Sequence, residues 1–313
     1  MSFKINEFLP LTRPLASLRR INQLLQDGLG VVLDLEDSVT DPFVEQSAAN
    51  LKAIARTGLI TVGRRLRPSK ALDLIQIRIN PVDSPYFADD LASLREWADM
   101  GLPLNLMLPK VNSSETAASA LREVEVRCKR EPTITPLLEC PESLRNVEAI
   151  IDACHAQGRG VQFGYYDYAL SSGIWPFAAY DAKEFWELVE EFARRIESAG
   201  AYYLHPPPPI VSDPGKLLQI KAMLLATRTN TVGVASLGKA QTKAFQQQTQ
   251  ARPLNLSPSL AESDLVSHAK KVMQLFEQNR RGQRSFAVID DRFIPPHELL
   301  AAKAYLRFHS DVT

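Results

Sequence analysis

Eight short apolar runs of strand length, each followed by a longer stretch mixing charge with helical apolar spacing, constrain this chain more than anything else in it. They lie at 7–11, 30–35, 74–79, 104–111, 133–140, 160–166, 201–205 and 231–235. This alternation signals parallel βα units, and eight such units close into a barrel. The segments between them agree: 16–26 carries Leu18, Ile21, Leu24 and Leu25 on one stripe, and 183–198 carries Phe185, Leu188, Val189, Phe192 and Ile196. Such stripes are core contacts of amphipathic helices. The expected fold is α/β, a (β/α)8 TIM barrel with a small C-terminal extension.

The length of 313 residues fits one barrel of about 250 residues plus an appendage better than two average domains. Beyond the eighth run, 254–278 reads as one more amphipathic helix and 278–285 as a polar, basic linker. The stretch 286–308 reads as a small strand, turn and helix unit that a barrel does not need. The expected organisation is a barrel with its additional helix over 1–278, then linker and C-terminal unit over 279–313. The low-complexity patches are Pro206 to Pro209 and Gln246 to Gln248.

Thirty-six basic residues balance thirty-six acidic ones, leaving no global field to steer the chain toward nucleic acid or an anionic bilayer. No apolar run approaches the roughly 18 residues of a membrane span, and the N-terminus lacks a secretory h-region. The expectation is a cytoplasmic enzyme. Cys128, Cys140 and Cys154 are odd in number and lack CxxC spacing, so they read as reduced thiols.

Active sites of barrels gather at the C-terminal strand ends, and side chains along a strand alternate between interior and helix layer. The second run ends Val32-Leu-Asp34-Leu-Glu36-Asp37, with Asp34 and Glu36 on one side and Leu33 and Leu35 on the other. The third run, Gln76-Ile-Arg78-Ile-Asn80, puts Gln, Arg and Asn on one face. The fifth reaches Glu139, and the sixth runs through Gly164 and two tyrosines to Asp167. Carboxylates at neighbouring strand ends can share a hard cation such as Mg²⁺. Spacing alone leaves a purely structural network of Arg78 with these acids equally open.

Five segments in the same order resemble the citrate lyase β-subunit family and its relatives, the malyl-CoA and citramalyl-CoA lyases, malate synthase and the HpcH/HpaI aldolases. Asp34-Leu-Glu-Asp-Ser-Val39 is similar to that family's DLEDSV, and Arg78-Ile-Asn-Pro-Val-Asp-Ser-Pro85 to its RINP-x-DSP. Leu108-Pro-Lys-Val111 resembles LPKV, Pro136-Leu-Leu-Glu139 resembles P-L-I-E, and Phe163-Gly-Tyr-Tyr-Asp167 resembles FG-x-x-D. The resemblance implies Glu139 and Asp167 as metal ligands, Arg78 as the binder of a substrate oxyanion, and Asp34 and Glu36 as acids around the metal waters. Arg13 matches the arginine near the CoA phosphates. Asp290, in Val288-Ile-Asp-Asp-Arg-Phe-Ile294, matches the acid-base aspartate of a C-terminal lid. In relatives the lid covers a neighbouring subunit, which implies a homo-oligomer, trimer or hexamer. A solvated turn is the plain alternative for this lid segment.

The chain also departs from the pattern. Leu11 stands where the family's P-G-x-R has glycine, Ala235 to Lys239 replaces IHP-x-Q, and bulky Tyr165 and Tyr166 precede Asp167. These differences fall where a pantetheine arm would sit, so metal and acid-base chemistry are better supported than CoA use. His155, His268 and His309 read as structural or surface residues, while His205 could be structural or could reach the site. A Schiff base at Lys110 is not expected. The expectation is a Mg²⁺-dependent carbon–carbon lyase, or the reverse condensation, acting on a small 3-hydroxy acid or its CoA thioester. Its partners would be a small 2-oxo acid or an acyl-CoA. A pyruvate-type aldolase without CoA, using water or His205 as base, is the second reading. A non-catalytic metabolite-binding relative is the third.

Overall fold

The computed structural model describes residues 3–37, 45–177, 180–227, 232–256, 264–281, 287–289 and 291–310. Eight parallel strands form a closed barrel in sequential order: β1 (Lys4–Pro10), β2 (Gly30–Asp34), β3 (Ile75–Arg78), β4 (Asn105–Leu108), β5 (Thr133–Leu138), β6 (Gly160–Phe163), β7 (Tyr202–His205) and β8 (Val232–Ser236). β1 starts three residues before the run read from sequence, because Lys4 to Glu7 pair with Gly233 to Ser236 across the closing seam. That partner lies at the far end of the chain and leaves no local signal. β6 ends at Phe163, opposite Leu138, rather than running on to 166.

The helices outside the barrel begin at local stop and start signals. α1 (Pro14–Gln26) opens with proline, whose missing N–H costs nothing in a first turn. α2 (Glu45–Gly63), α3 (Phe87–Asp99) and α4 (Ser114–Cys128) follow, the last capped by Ser113 Oγ accepting from Thr116 N at 3.2 Å. The return from β5 is split into α5 (Pro141–Arg145) and α6 (Val147–Ala153); α7 (Tyr165–Ser171) then starts at once after β6. α8 (Lys183–Ser198) buries Phe185, Val189, Phe192 and Ile196, the stripe expected of it. α9 (Pro214–Ala226) and α10 (Lys239–Gln246) complete the ring.

Strand alternation divides two cores. Phe8, Val32, Met107, Leu137 and Ala235 fill the barrel interior. Leu33, Leu35, Ile77 and Val161 face outward and join the helix stripes in the main core. Leu11, in place of the family glycine, is fully buried, and its carbonyl lies only 2.2 Å from where a Cβ on Gly58 of α2 would stand. A side chain on Gly58 is therefore excluded.

The C-terminal unit consists of α11 (Leu265–Arg281), the hairpin β9 (Ala287–Ile289) and β10 (Arg292–Ile294), and α12 (Pro296–Ser310). α11 runs past 278 into the stretch read as linker. Its Ala269, Val272 and Phe276 share a separate small core with Ile294, Leu299 and Ala302, so packing groups α11 with the C-terminal unit. Buried Glu298 ties the unit together through Arg292 at 3.0 Å and His268 at 3.4 Å.

This unit docks on its own barrel. Phe293 N donates to Pro209 O at 2.6 Å, and Val211 N donates to Asp291 O at 2.9 Å. The Asp291 carboxylate accepts from Ser212 N and Oγ and from Asp213 N, at 2.7–3.1 Å. The proline run at 206–209 lacks N–H donors but keeps its carbonyls, and Pro209 offers one to the hairpin. Within the single chain, the C-terminal unit lies over the mouth of its own barrel through these contacts.

Candidate active site

β2 and β3 run in register with Asp34 opposite Arg78, and both side chains point into the barrel. Arg78 donates from Nε to Asp34 Oδ1 at 2.7 Å and from Nη2 to Asp34 Oδ2 at 2.6 Å, a two-pronged pairing. Its Nη1 lies 2.9 Å from Glu36 Oε2 and 3.4 Å from Asp37 Oδ2. The guanidinium stacks over Phe8, 5.1 Å from the ring centre. Most of its donors are thus committed to the acids of β2, and Nη1 is the edge closest to the mouth acids. Asn80 leaves the interior face expected of it. It turns to the helix layer, where its Nδ2 donates to Asp90 at 2.7 Å and its Oδ1 accepts from Lys52.

Glu139 extends β5 and is buried; its Oε2 accepts the Lys110 N–H at 2.8 Å. Lys110 holds a left-handed backbone, φ 55°, to present that donor. Gly164 follows β6 at the point of closest approach: a Cβ there would stand 2.4 Å from Glu139 Cγ and 2.6 Å from its Oε1. Asp167 is not on the strand end but in the first turn of α7, where the positive end of the helix dipole favours a carboxylate.

Charge repulsion marks these acids as neighbours. Burial first, then the Asp167 charge, pushes the Glu139 carboxyl well above the carboxylate range. Burial and then Asp37 do the same to Glu36, against Arg78 and Lys110. For Asp167 burial pushes upward, but a hydrogen bond from His297, its charge and that of Lys110 outweigh it and hold Asp167 low. Lys110 Nζ lies 3.6 Å from Asp167 Oδ1 and 3.8 Å from Glu36 Oε1. Burial would lower its pKa, yet Asp167 and Glu36 raise it above the ordinary lysine value, so it stays an ammonium rather than an amine nucleophile.

Four expected site residues, Arg78, Asp34, Glu36 and Glu139, meet at one mouth with Asp167. Arg13 sits exposed at the start of α1, off the C-terminal end of β1, and makes no ion pair with a described residue. Asp290 lies outside the described residues, as do Ser38 and Val39 of the DLEDSV segment. His205 does not reach the mouth. With Tyr203 it faces the helix layer, where Tyr180 Oη lies 2.7 Å from Nε2 and Tyr203 Oη 3.0 Å from Nδ1. Trp186 stacks on the ring, and burial pulls its pKa down to about 3. The aldolase reading with His205 as base is therefore corrected: period two already put His205 on Tyr203's side.

His297 escaped the sequence reading. It lies in the first turn of α12, its Nε2 3.2 Å from Asp167 Oδ2, and its ring stacks on Tyr166. The signal was a histidine just after the Pro295-Pro296 that opens a helix beside the Asp290 motif; the missing information was where that helix docks. Tyr166 supports the docked unit from below, within 6.4 Å of Phe293, and Tyr165 turns into the α8 aromatics, 4.8 Å from Phe185. The cysteines are unpaired. No helix among the described residues is long and apolar enough to cross a membrane.

Comparison with known proteins agrees with this fold. The chain resembles RipC from Yersinia pestis at 21% identity, covering 80% of this chain and 97% of that one, with a TM-score of 0.54. It resembles CitE from Mycobacterium tuberculosis, solved with magnesium and pyruvate, at 18% identity, covering 86% and 97%, with a TM-score of 0.59. A citrate lyase from Burkholderia xenovorans LB400 matches at 15% identity over 100% of this chain and 93% of that one, with a TM-score of 0.60. At these identities the likeness establishes the barrel fold. No protein of curated function matches in sequence. The family model described as HpcH/HpaI aldolase/citrate lyase matches residues 8–201, well over half of the chain, and the protein belongs to that family.

Proposed function

We propose that the protein is a carbon–carbon lyase, or a condensing enzyme in reverse, that uses one divalent cation and acts on a small 3-hydroxy acid or its CoA thioester. The observation that carries this is the convergence of Glu139, Asp167 and Glu36 beside Arg78 at the C-terminal mouth of the barrel. The donors suit a hard cation. All three acids offer oxygens, the buried Glu36 Oε1 has no hydrogen-bond partner, and Glu139 is crowded by like charge. Glu139 and Asp167 would hold the ion, with Asp34 and Glu36 behind it. CitE of Mycobacterium tuberculosis is solved with magnesium and pyruvate, and with magnesium, acetoacetate and coenzyme A, which supports Mg²⁺ and a 2-oxo or 3-oxo ligand here.

When bound, the cation supplies polarisation of a carbonyl oxygen, favouring carbon–carbon cleavage next to it. The residues of the chain do the rest. Asp34 grips Arg78 through two bonds and aims Nη1 at the mouth, where it can meet a substrate oxygen bearing negative charge. Lys110 offsets part of the acidic charge. Asp290, outside the described residues, remains the proposed group that exchanges a proton with the carbon being released. Arg13 is the proposed contact for CoA phosphates.

Calorimetry with Mg²⁺ tests the reading: Glu139→Ala and Asp167→Ala should each abolish binding while keeping the fold. Unchanged affinity in either variant would sink the site. Turnover of a 3-hydroxy acid against its CoA thioester decides whether CoA belongs to the substrate.

A further inference from the structure

His297 brings an imidazole nitrogen to a mouth whose other proposed ligands among the described residues are carboxylates. Asp37, Asp167 and His297 each offer an atom such that all three lie within 4.8 Å of one another. Two donors in cis positions around an ion with bonds near 2.1 Å stand about 3 Å apart, and His297 Nε2 is 3.2 Å from Asp167 Oδ2. The ring has little freedom to swing away, because it stacks on Tyr166 and sits in a helix anchored by the small core of Ile294, Leu299 and Ala302. His297 Nδ1 is buried with no hydrogen-bond partner, so the contact that orients the ring is the one from Nε2 to Asp167. A second observation points into the same volume. Glu36, 3% exposed, faces Arg78 Nη1 through Oε2 at 2.9 Å, while its buried Oε1 has no hydrogen-bond partner and lies 3.8 Å from Lys110 Nζ, which also reaches Asp167.

Resting on the reading that Asp167 binds a divalent cation, we propose that His297, carried in by the chain's own C-terminal unit, is a further metal ligand beside Asp167 and Asp37. It makes the centre selective for a first-row transition ion over Mg²⁺. Imidazole is a borderline donor that suits transition metals, whereas Mg²⁺ keeps to oxygen ligands and water. Glu36 then serves as acceptor for water on the ion. Docking of the C-terminal unit and metal binding become one event, since the ligand leaves if α12 lifts.

The full chain loaded with Mn²⁺ gives the direct readout by pulsed electron paramagnetic resonance. Wild type should show the nitrogen modulation of a directly bound imidazole, and ¹⁵N-histidine labelling should change it. His297→Gln should lose the modulation and weaken Mn²⁺ binding by at least about tenfold, while Mg²⁺ affinity moves little. The labelled wild-type measurement stands alone if the variant folds poorly. Among the described residues His205 and His268 are committed to Tyr180 and Glu298, away from this mouth. Mn²⁺ that binds in an Asp167-dependent way without histidine modulation would overturn this inference and leave the proposed function standing. A wild-type chain that binds neither Mn²⁺ nor Mg²⁺ would overturn both.

Discussion

Gly164→Ala probes the site without touching any proposed ligand. The backbone there has φ −105°, open to alanine, so the effect is steric alone. The new methyl would stand 2.4 Å from Glu139 Cγ, 2.6 Å from Oε1 and 2.9 Å from Cδ. Carbon atoms in comfortable contact sit at about 3.5 Å, so the Glu139 side chain must retreat by about 1 Å. It has no room to do so freely, being 4% exposed and held through Oε2 to Lys110 N. Overpacking of this kind costs about 1–3 kcal/mol. A ligand carboxylate displaced by that distance should weaken metal binding by about 10- to 100-fold, the scale of loss when the support that orients a metal ligand is disturbed. Thermal unfolding and calorimetry with the divalent ion measure the two effects. Glu139→Ala removes Cγ, Cδ and Oε1 together, so in that background the stability cost of Gly164→Ala should vanish. Gly164→Ala with wild-type stability and metal affinity would refute the placement of Glu139 against this glycine.

Other outcomes follow from the same geometry. Arg78→Met strands buried Asp34 without its two-pronged partner and should cost about 3–5 kcal/mol in chemical denaturation, whereas Arg78→Lys should fold and lose about 10²-fold in turnover; near wild-type turnover would make Arg78 purely structural. His205→Phe should cost about 1–3 kcal/mol for each tyrosine hydroxyl left unpaired and leave metal affinity unchanged, and a stable variant with no turnover would return His205 to the chemistry. Because the C-terminal unit covers its own barrel, mixing Asp290→Asn with Glu139→Ala protein should restore no activity even after proven subunit exchange; recovery would show a lid working across subunits. Glu36 and Glu139 have folded pKa values raised above the unfolded value of about 4.3, so the folded state binds more protons above that pH and stability falls as pH rises. His297, also raised, contributes stability below about 6.5 that is lost as pH rises through its folded pKa, and the contribution of depressed Asp167 is lost only at lower pH. Metal-free protein should therefore lose melting temperature from about pH 5 to 8. A divalent ion should flatten the slope, and a rise over that range without metal would contradict the burial of these acids.

Local pattern alone determined the barrel, because alternation of period two and helical stripes are written into neighbouring residues. Leu33 and Leu35 had to face the helices once Asp34 and Glu36 faced inward, and the strand ends carried Arg78 and Glu139 to one mouth. The same rule placed His205 outward with Tyr203. Tertiary structure alone decided the rest, because it depends on contacts between residues far apart in the chain. β1 lengthened to meet β8. Gly164 mattered through the Glu139 side chain it admits. Arg78 became a residue held by Asp34 before it could be a binder of substrate. Above all, His297 met Asp167 only because the proline carbonyls after β7 and the Asp291 carboxylate dock a C-terminal unit whose destination no local spacing records.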